Sequence, residues 1–560
     1  MKESARMPAG PHAGALADLR AALLDAARDV GWEPRGGVVE AAAITLERPR
    51  RAQFGDYSTN AALLLARALG APPREVAERL GGALQARLAS SLERFEVAGP
   101  GFVNLFLSDA WLTGAIAGVL GAGDSFGAGG APASERILVE FVSANPTGPM
   151  HVGHARNAAY GDAVARMLRF HGHHVEREFY VNDAGSQVRK FGESIRALAE
   201  GREAPQDGYK GEYVAELALS IEGAATREEA EVGRDAVALM VAGMASTLES
   251  FGVEPFDRWS YESSLHEGDP SPVAHALALL EERGHTYTHE GALWLRTTDF
   301  GDDKDRPLVR SSGEHTYFAS DIAYHQDKRE RGFQRQVDVL GADHHGYVAR
   351  LKAAYEALGG DPGELELLIM QLVHLLRGGE RAQMSKRAGE FVTLGELVEE
   401  IGVDAARWYL LARSHDTTVD LDLDLARQQS NENPVYYVQY AHARIASILD
   451  RAGQERVQAA LAGVIDPQRA ALHESERALI ELLLGWPAEL AEAVERRAPH
   501  RVAAYALELA QGFTAFYRDC RVLGAEPETV ESLRLALALA SRRAIARCLH
   551  LLGVSAPERM

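Results

Sequence analysis

Two histidines three residues apart form the strongest chemical signal in the chain. The run ANPTGPMHVGHARN (residues 144–157) follows an apolar strand, ILVEFVS, and opens a helix predicted over about 155–170. A helix N-terminus offers free N–H groups and partial positive charge to phosphate, and ligands of parallel sheets bind beyond the strand ends. His151 and His154 can face one side of the first turn and donate hydrogen bonds to phosphate oxygens, while Gly153 leaves room for an adenine or ribose. The pattern predicts a nucleotide site.

A second run completes a known pair of motifs. HVGH resembles the HIGH signature of class I aminoacyl-tRNA synthetases and related nucleotidyltransferases. The run QMSKRAGEF (residues 383–391) resembles their KMSKS loop, with Gln383 in place of the first lysine and Arg387 in place of the final serine. The resemblance implies that Lys386, one of only seven lysines in the chain, meets the pyrophosphate of ATP.

The two motifs together fit attack of a carboxylate on the α-phosphate of ATP. Negative charge gathers on phosphoryl oxygens in the transition state, so catalysis depends on positioned donors and cations. His151 and His154 would stabilise the α-phosphoryl group and Lys386 the leaving pyrophosphate, with Mg²⁺ accompanying the ATP. The resemblance, which includes LGADHHGYVAR (residues 340–350), adds further residues of the ATP site: Gly153, Gly341, Asp343, His344, Met384 and Ser385.

Class I motifs do not specify the amino acid, so its identity depends on another block. A guanidinium group needs carboxylates in a planar, bidentate arrangement. EHTYFASDIAYHQDK (residues 314–328) places Tyr317 and Asp321 at i and i+4 of one helix face, and it resembles the arginyl-tRNA synthetase block TYxxxDIAYHxDK, in which the matching residues hold the substrate arginine. The same resemblance implies that Asn145 grips the α-amino or carboxylate end, and Glu290 is a weaker candidate.

The elements around these motifs predict an α/β fold with a doubly wound parallel sheet. The β-loop-α-β order around the HVGH run is the unit of such a sheet, and further strands are predicted at GALWLRT, QVDVLGA and ELLIMQL. From Leu394 onward the apolar residues recur with a helical period, which predicts an all-helical bundle. The predicted divisions are an α+β N-terminal domain (1–120), a linker (121–134), a catalytic domain (135–400) with a short insertion near 195–260, and a helical domain (401–560).

The terminal domains resemble tRNA-contacting parts of arginyl-tRNA synthetases. GDYSTNAALLLA and GPGFVNLFLS resemble the N-terminal domain of these enzymes, and DAARWYLLA with NENPVYYVQYAHARI resembles the DALR anticodon-binding bundle. The net charge of −21 should repel tRNA, but residues 496–560 hold ten arginines against six acidic residues. The predicted tRNA contacts are Arg497, Arg501, Arg542, Arg543, Tyr436 and Tyr440. Two alternatives stay open: the arginines pair with Glu526, Glu528 and Glu531, and the tyrosines belong to the bundle core.

Composition narrows the remaining classes. The two cysteines, Cys520 and Cys548, have no CxxC or histidine partner, which argues against structural zinc, disulfides and a cysteinyl-type synthetase. We find no apolar run long enough for a signal peptide or membrane span, so we expect a cytoplasmic protein. The resemblance implies a monomer whose partners are tRNA(Arg), L-arginine and ATP. A paralogue that has lost catalysis is the other alternative, and the presence of His151, His154 and Lys386 argues against it.

Overall fold

A computed structural model of the chain describes residues 14–33, 41–49, 51–382, 392–461 and 471–560. Among these residues there is no helix whose length and apolar character would allow it to cross a membrane. Lys386, Met384 and Ser385, with Gln383 and Arg387 of the same run, lie outside the described residues.

The N-terminal region combines helices with a small antiparallel sheet and has its own apolar core. Its elements are α1 (Ala15–Asp29), β1 (Tyr57–Thr59), α2 (Ala61–Leu69), α3 (Pro73–Leu88), β2 (Leu92–Ala98), β3 (Phe102–Leu107) and α4 (Asp109–Ala122). The strand order is β1-β3-β2. Helix α3 begins with a proline, which fits there because the first N–H groups of a helix have no acceptor within the helix. Leu23, Leu65, Leu80 and Leu105 are fully buried between the helices and the sheet.

The middle of the chain alternates strands and helices. In chain order its elements are β4 (Arg136–Glu140), α5 (Val152–His171), β5 (His174–Val181), α6 (Ser186–Ala199), α7 (Glu212–Ser220), α8 (Glu229–Ser250), β6 (Arg258–Tyr261), α9 (Pro272–Glu282), β7 (Thr286–His289), β8 (Ala292–Leu295), β9 (Arg306–Val309), α10 (Tyr317–Glu330), β10 (Arg335–Gly341), α11 (Val348–Ala357), β11 (Leu365–Met370), β12 (Val373–Arg377), β13 (Glu380–Arg381) and α12 (Leu394–Ile401).

Five of these strands form the parallel sheet that the sequence predicts. Their order is β11-β10-β4-β5-β6, and every neighbouring pair is parallel. The chain leaves β4 through α5 to β5 on one side, whereas β10 joins β4 from the other side. Strand order therefore reverses at β4, and the crevice beyond the carboxyl end of β4 is where such sheets bind ligands.

Two strands differ from the sequence-based expectation. GALWLRT does form β8, but it belongs to a separate antiparallel sheet, β7-β8-β9, rather than to the central sheet. One strand also interrupts the helical C-terminal region: Val419–Asp422 pairs in parallel with β12. The run VDLD alternates apolar and acidic residues, and Val419 and Leu421 are buried, so its period is that of a strand.

The C-terminal helices pack against α5, and one apolar core runs through both. The remaining elements are α13 (Val403–Leu411), β14 (Val419–Asp422), α14 (Leu423–Ala426), α15 (Pro434–Ala452), α16 (Gln454–Leu461), α17 (Glu474–Glu495), α18 (Pro499–Asp519) and α19 (Glu528–Leu552). Helix α5 is buried on almost every side because the sheet covers one face and the bundle the other. The glycine-rich segment 121–134 also packs: Phe126 is buried, and its carbonyl accepts a hydrogen bond from Trp486 Nε1 at 3.1 Å.

Candidate active site

The two signature histidines lie side by side at the start of α5. This helix begins at Val152, three residues before the predicted start, so His151 is its N-cap and His154 lies in its first turn. His151 Nδ1 accepts from Gly153 N at 3.1 Å, and His154 Nδ1 accepts from His151 N at 3.3 Å. The rings stack with their centroids 3.8 Å apart. Each side chain thus caps the helix while its ring stays at the edge of the cleft.

Burial governs the protonation states of His151 and His154. Burial lowers the pKa of His151, and burial together with the neighbouring His151 lowers the pKa of His154 to about 4. Both rings are therefore neutral near pH 7. Since each Nδ1 accepts a backbone N–H, the ring proton is assigned to Nε2. The pair thus presents neutral rings rather than two cations at the edge of the cleft.

A cleft of about 1460 Å³ opens at the carboxyl edge of the sheet. It brings together most of the residues that the sequence singled out, from β4, α5, α10 and the segment after β10. Those that line it are Asn145, His151, Gly153, His154, Tyr317, Asp321, Gly341, Asp343 and His344. The nucleotide signature and the Tyr317–Asp321 pair thus face one cavity, although they are far apart in sequence.

Glu290, the weaker candidate for an arginine contact, is not among the residues that line this cleft. It occupies the turn between β7 and β8 with φ +50°, and its side chain is 86% exposed. The chain must reverse at this point to form the hairpin, which directs the side chain into solvent rather than toward α10. Its proximity in sequence to the strand GALWL carried no information, because that strand lies outside the central sheet.

Three carboxylates gather at one end of the cleft. Glu262 is buried directly after β6, and burial together with the charges of Asp321 and Asp183 raises its pKa to about 7. Burial also raises the pKa of Asp321, which accepts a hydrogen bond from the hydroxyl of Tyr347. In the described part of the chain, no arginine or lysine forms an ion pair with any of the three. We call these residues the acidic cluster, and it favours a cationic ligand.

Sequence reasoning missed Glu262, although a signal was present. The residue follows the edge strand β6 at its carboxyl end, the same position relative to the sheet as Asn145 after β4 and Asp343 after β10. However, the segment SYESSLHEGD has no clear periodicity, and the short strand β6 was not identified. Without that strand, nothing distinguished Glu262 from a solvated acid.

A buried ionic network fixes α10 against the sheet. Lys328, fully buried, donates to Glu140 Oε2 at 2.6 Å and to Asp338 Oδ1 at 2.9 Å. His325 Nε2 lies 2.7 Å from Asp338 Oδ2. The histidine and lysine of the DIAYHQDK run therefore anchor the helix that carries Asp321, and they leave the aspartate to face the cleft.

The residues that flank the KMSKS-like run reach the same place. Val152 N donates to Val392 O at 3.1 Å, and Leu394 N donates to Met150 O at 2.8 Å. Arg381, Ala382 and Val392 line the cleft. The residues after the run that contains Lys386 are thus bonded beside the signature histidines, and the residues before it, where Ala382 N donates to Leu375 O at 2.8 Å, line the same cleft.

The predicted arginines of the bundle are less exposed than expected. The expectation for Arg497 is wrong: it is buried and makes a bidentate pair with Glu366 on β11, both contacts at 2.9 Å. Its φ of +51° turns the chain between α17 and α18 and directs the side chain inward. Arg501 pairs with Glu489 and Glu492. These partners differ from the alternative acids considered from sequence.

Arg542 and Arg543 are half-buried. Arg542 pairs with Glu558, and Arg543 donates to the carbonyl of Leu120 at 3.3 Å. Glu531, one of the predicted partners, instead pairs with Arg456.

The bundle instead presents an aromatic and cationic surface on α15 and α18. The rings of Tyr436 and Tyr440 are nearly parallel, with centroids 6.1 Å apart. The guanidinium of Arg444 lies 4.8 Å from the Tyr440 ring and 5.8 Å from the Tyr517 ring. We call Tyr436, Tyr440, Arg444 and Tyr517 the tyrosine platform. Tyr437 does not belong to it: this residue is partly buried, and its hydroxyl donates to Thr514 Oγ1 at 3.1 Å.

Comparison with known proteins gives a consistent result along the chain. Residues 17–107 match the arginyl-tRNA synthetase N-terminal domain, residues 120–205 and 263–446 match the class I (R) tRNA synthetase catalytic domain, and residues 438–560 match the DALR anticodon-binding domain.

Similar whole proteins point the same way. An arginine–tRNA ligase of Syntrophotalea carbinolica is 47% identical over 92% of this chain and 95% of its own length, and one of Frankia alni is 48% identical over the same shares. The solved arginyl-tRNA synthetase of Thermus thermophilus aligns with a TM-score of 0.75 at 25% identity, covering 97% of this chain and 99% of its own. The cleft, its two signature motifs and these full-length matches agree: the chain belongs to the arginyl-tRNA synthetase family of class I aminoacyl-tRNA synthetases.

Proposed function

We propose that the cleft activates L-arginine with ATP to form arginyl-adenylate and then transfers the arginine to the 3′-terminal adenosine of tRNA(Arg). The arginine carboxylate attacks the α-phosphorus, and the bond to pyrophosphate breaks. A ribose hydroxyl of the tRNA then attacks the carbonyl carbon of the adenylate, and AMP leaves. The single observation that carries this assignment is that Asp321 and Glu262 of the acidic cluster face the same cavity as the histidine pair.

The ATP end lies at the start of α5. Two Nε2–H donors meet the α-phosphoryl oxygens, where charge increases in the transition state. Gly153 allows close approach, and Gly341 at the end of β10, with Asp343 and His344 after it, contacts the adenosine. Lys386 carries the charge that meets pyrophosphate, beside Met384 and Ser385. Mg²⁺ bound to the ATP would neutralise part of its phosphate charge.

The arginine end lies in the acidic cluster. Asp321 and Glu262 supply two carboxylates, and a guanidinium bound to both offsets the burial and the repulsion that together raise the pKa of Glu262. Tyr317 on α10 closes the pocket, and exposed Asn145 holds the α-amino or carboxylate end. A substrate without the guanidinium leaves buried carboxylates unpaired, so discrimination by a factor on the order of 10⁴ needs no editing site.

The tRNA meets the terminal domains. Tyrosine faces with an intervening guanidinium suit unstacked bases of a single-stranded loop, so the tyrosine platform is the proposed anticodon contact. Arg501, Arg542 and Arg543 are secondary candidates because each is already engaged by protein groups. Arg497 is not proposed as a tRNA contact, because its guanidinium is buried against Glu366. The family resemblance further supports a monomer in the cytoplasm.

One assay tests the reaction. Exchange of labelled pyrophosphate into ATP is measured with each of the twenty amino acids, with and without tRNA(Arg). Only arginine should support exchange above background, and tRNA should then become charged. Exchange with a different amino acid, or none with arginine when tRNA is present, would contradict the proposal.

A second assay tests the tRNA contact. Loss of one base-stacking ring costs roughly 1–3 kcal/mol, so Tyr440→Ala should weaken tRNA binding about 5- to 150-fold without changing the KM for ATP. Tyr287→Ala is the matched control, because Arg296 stacks over Tyr287 at 4.7 Å in the separate β7-β8-β9 sheet. Equal tRNA affinities for the two variants would remove the platform from the interface.

A further inference from the structure

The loop between β4 and the signature helix contains two strained residues. Val142 has φ +69° and Ser143 has φ +40°. They are the only adjacent non-glycine residues with positive φ among the described residues. Ser143 N donates to Phe141 O at 3.0 Å, so the chain makes a three-residue turn centred on Val142. A turn of this hand is rare and strained, and a β-branched residue is poorly suited to it.

Such strain persists only where the surroundings over-determine the backbone. Here the side chain of Asn157, on α5, provides the main restraint. Its Oδ1 accepts from Val142 N at 2.6 Å, and its Nδ2 donates to Val339 O of β10 at 2.7 Å. Asn157 is only 6% exposed, so both bonds are shielded from water. One amide therefore connects the signature helix, the strained turn and the neighbouring strand.

The second strained residue is held by its own side chain. Ser143 Oγ donates to Glu140 Oε1 at 2.8 Å and accepts from Tyr180 N at 3.2 Å. Glu140 in turn is held by Lys328. The turn is thus fastened to β4, β5 and β10 at once, which is the over-determination that strain requires.

The turn determines where the next residues lie. Asn145 follows Val142 by three residues and is exposed in the cleft, and Asn157 follows His154 by three residues on the same helix. If Val142 relaxed to an extended conformation, the chain would continue along β4 and carry Asn145 away from the histidines. The distance between the amino-acid end and the phosphate end of the site therefore depends on this turn.

We propose that Asn157 is a positioning residue for adenylate formation: it holds the strained turn at Val142 and thereby aligns the bound amino acid with the histidine pair. Asn157 lies in the wall of the cleft, but both polar ends of its amide are used by backbone groups, so it acts through the turn. The inference rests on the proposed function of the cleft. It predicts that the effect of Asn157 on turnover disappears when residue 142 no longer resists positive φ.

The test is arginine-dependent pyrophosphate exchange by the full chain at saturating tRNA. Misplacement of reacting groups by about 1 Å costs on the order of 10²-fold in rate, so Asn157→Ala should lower kcat by that amount and leave the KM for ATP nearly unchanged. Asn157→Asp retains an acceptor for Val142 N–H but replaces the donor to Val339 O by a carboxylate oxygen, so it should lower the melting temperature while losing less kcat than Asn157→Ala.

The decisive comparison adds Val142→Gly. Glycine takes positive φ without steric cost, so in the Val142→Gly background the Asn157→Ala change should cost less than about tenfold in kcat. Asn433→Ala is the matched control: Asn433 is 3% exposed, donates to the carbonyls of Ala426 and Gln428, and lies outside the cleft. It should lower the melting temperature without lowering kcat.

The outcomes separate the two proposals. An unchanged kcat in Asn157→Ala, or equal losses in the valine and glycine backgrounds, would overturn the positioning role. If Asn157→Ala does not fold, Asn157→Asp and Val142→Gly decide the matter: an Asp variant that folds but loses as much kcat as expected for Ala would also overturn it. Absence of arginine-dependent exchange in the wild-type chain would instead count against the proposed function.

Discussion

The Asp162 cluster on α5 and the acidic cluster in the cleft use carboxylates in opposite surroundings. Asp162 is fully buried and meets three arginines: Arg407 at 2.5 Å, Arg166 at 2.8 Å and Arg177 at 3.5 Å. Burial alone would raise the pKa of Asp162, but the three cations lower it below its usual range. In the cleft, burial acts on Glu262 in the same direction, and the neighbouring carboxylates Asp321 and Asp183 add to it, so the pKa of Glu262 rises to about 7.

The difference distinguishes a structural cluster from a binding site. Around Asp162 the arginines also donate to the backbone, as Arg407 does to Leu552 O at 2.9 Å and Arg166 to Gly252 O at 3.0 Å. That cluster supplies its own counterions and fastens α5 to the end of α19. The acidic cluster lacks paired cations among the described residues, so a guanidinium ligand can complete it.

The largest expected effect is on stability. Breaking a buried ion pair by removing one partner costs roughly 3–5 kcal/mol, so Asp162→Asn should melt well below wild type in scanning calorimetry. Glu262→Gln should melt at or above wild type. If both variants were destabilised alike, the two clusters would not differ as described.

The free energy of unfolding should depend on pH through the ionisation of Glu262. Because the folded pKa of Glu262 lies above its unfolded value, ionisation destabilises the fold as pH rises from about 4.5 to about 7. Glu262→Gln removes this penalty, so it should raise the free energy of unfolding by up to roughly 3 kcal/mol at pH 8 and by less toward pH 5. Melting temperatures measured across this range check the trend.

The next effect is on substrate binding. Asp321→Asn keeps the side-chain size but leaves the guanidinium without a charged partner, which should cost roughly 2–5 kcal/mol of arginine binding. ATP binding should survive, because the histidine pair lies at the other end of the cleft. If calorimetry gave the wild-type arginine affinity for this variant, the guanidinium would have to be recognised by residues other than Asp321.

A smaller effect is expected in the rate alone. Lys386→Ala removes a charge that acts mainly in the transition state, so activation should slow on the order of 10²-fold while arginine affinity changes little. Single-turnover adenylate formation measures this directly. A raised KM for arginine with unchanged turnover would contradict the assigned role.

The sequence predicts the parts of this site that lie on regular elements. The strand-loop-helix around His151 and His154 and the i, i+4 pair Tyr317 and Asp321 are local patterns, and the parallel sheet brings them together by a general rule. Glu262 was missed because its position depends on a four-residue edge strand. Arg497 was misjudged because burial of a charge depends on a partner, Glu366, on a distant strand.

Two further features were not available to sequence patterns. The tyrosine platform includes Tyr517, whose contact with Arg444 depends on how α15 packs on α18. The strained turn at Val142 has no glycine to announce it, because Asn157 rather than glycine permits the conformation.

The most direct test of the account is the proton balance of arginine binding. Burial and the neighbouring charges raise the pKa of Glu262 to about 7, burial also raises the pKa of Asp321, and a bound guanidinium favours the ionised form of both carboxyls. Titration calorimetry in phosphate and Tris buffers at pH 7 should therefore show net release of protons on arginine binding, with affinity rising from pH 6 to pH 8. Glu262→Gln should reduce the release and leave only the part that Asp321 contributes. Proton uptake, or the same proton balance in wild type and Glu262→Gln, would contradict the claim that the acidic cluster binds the guanidinium.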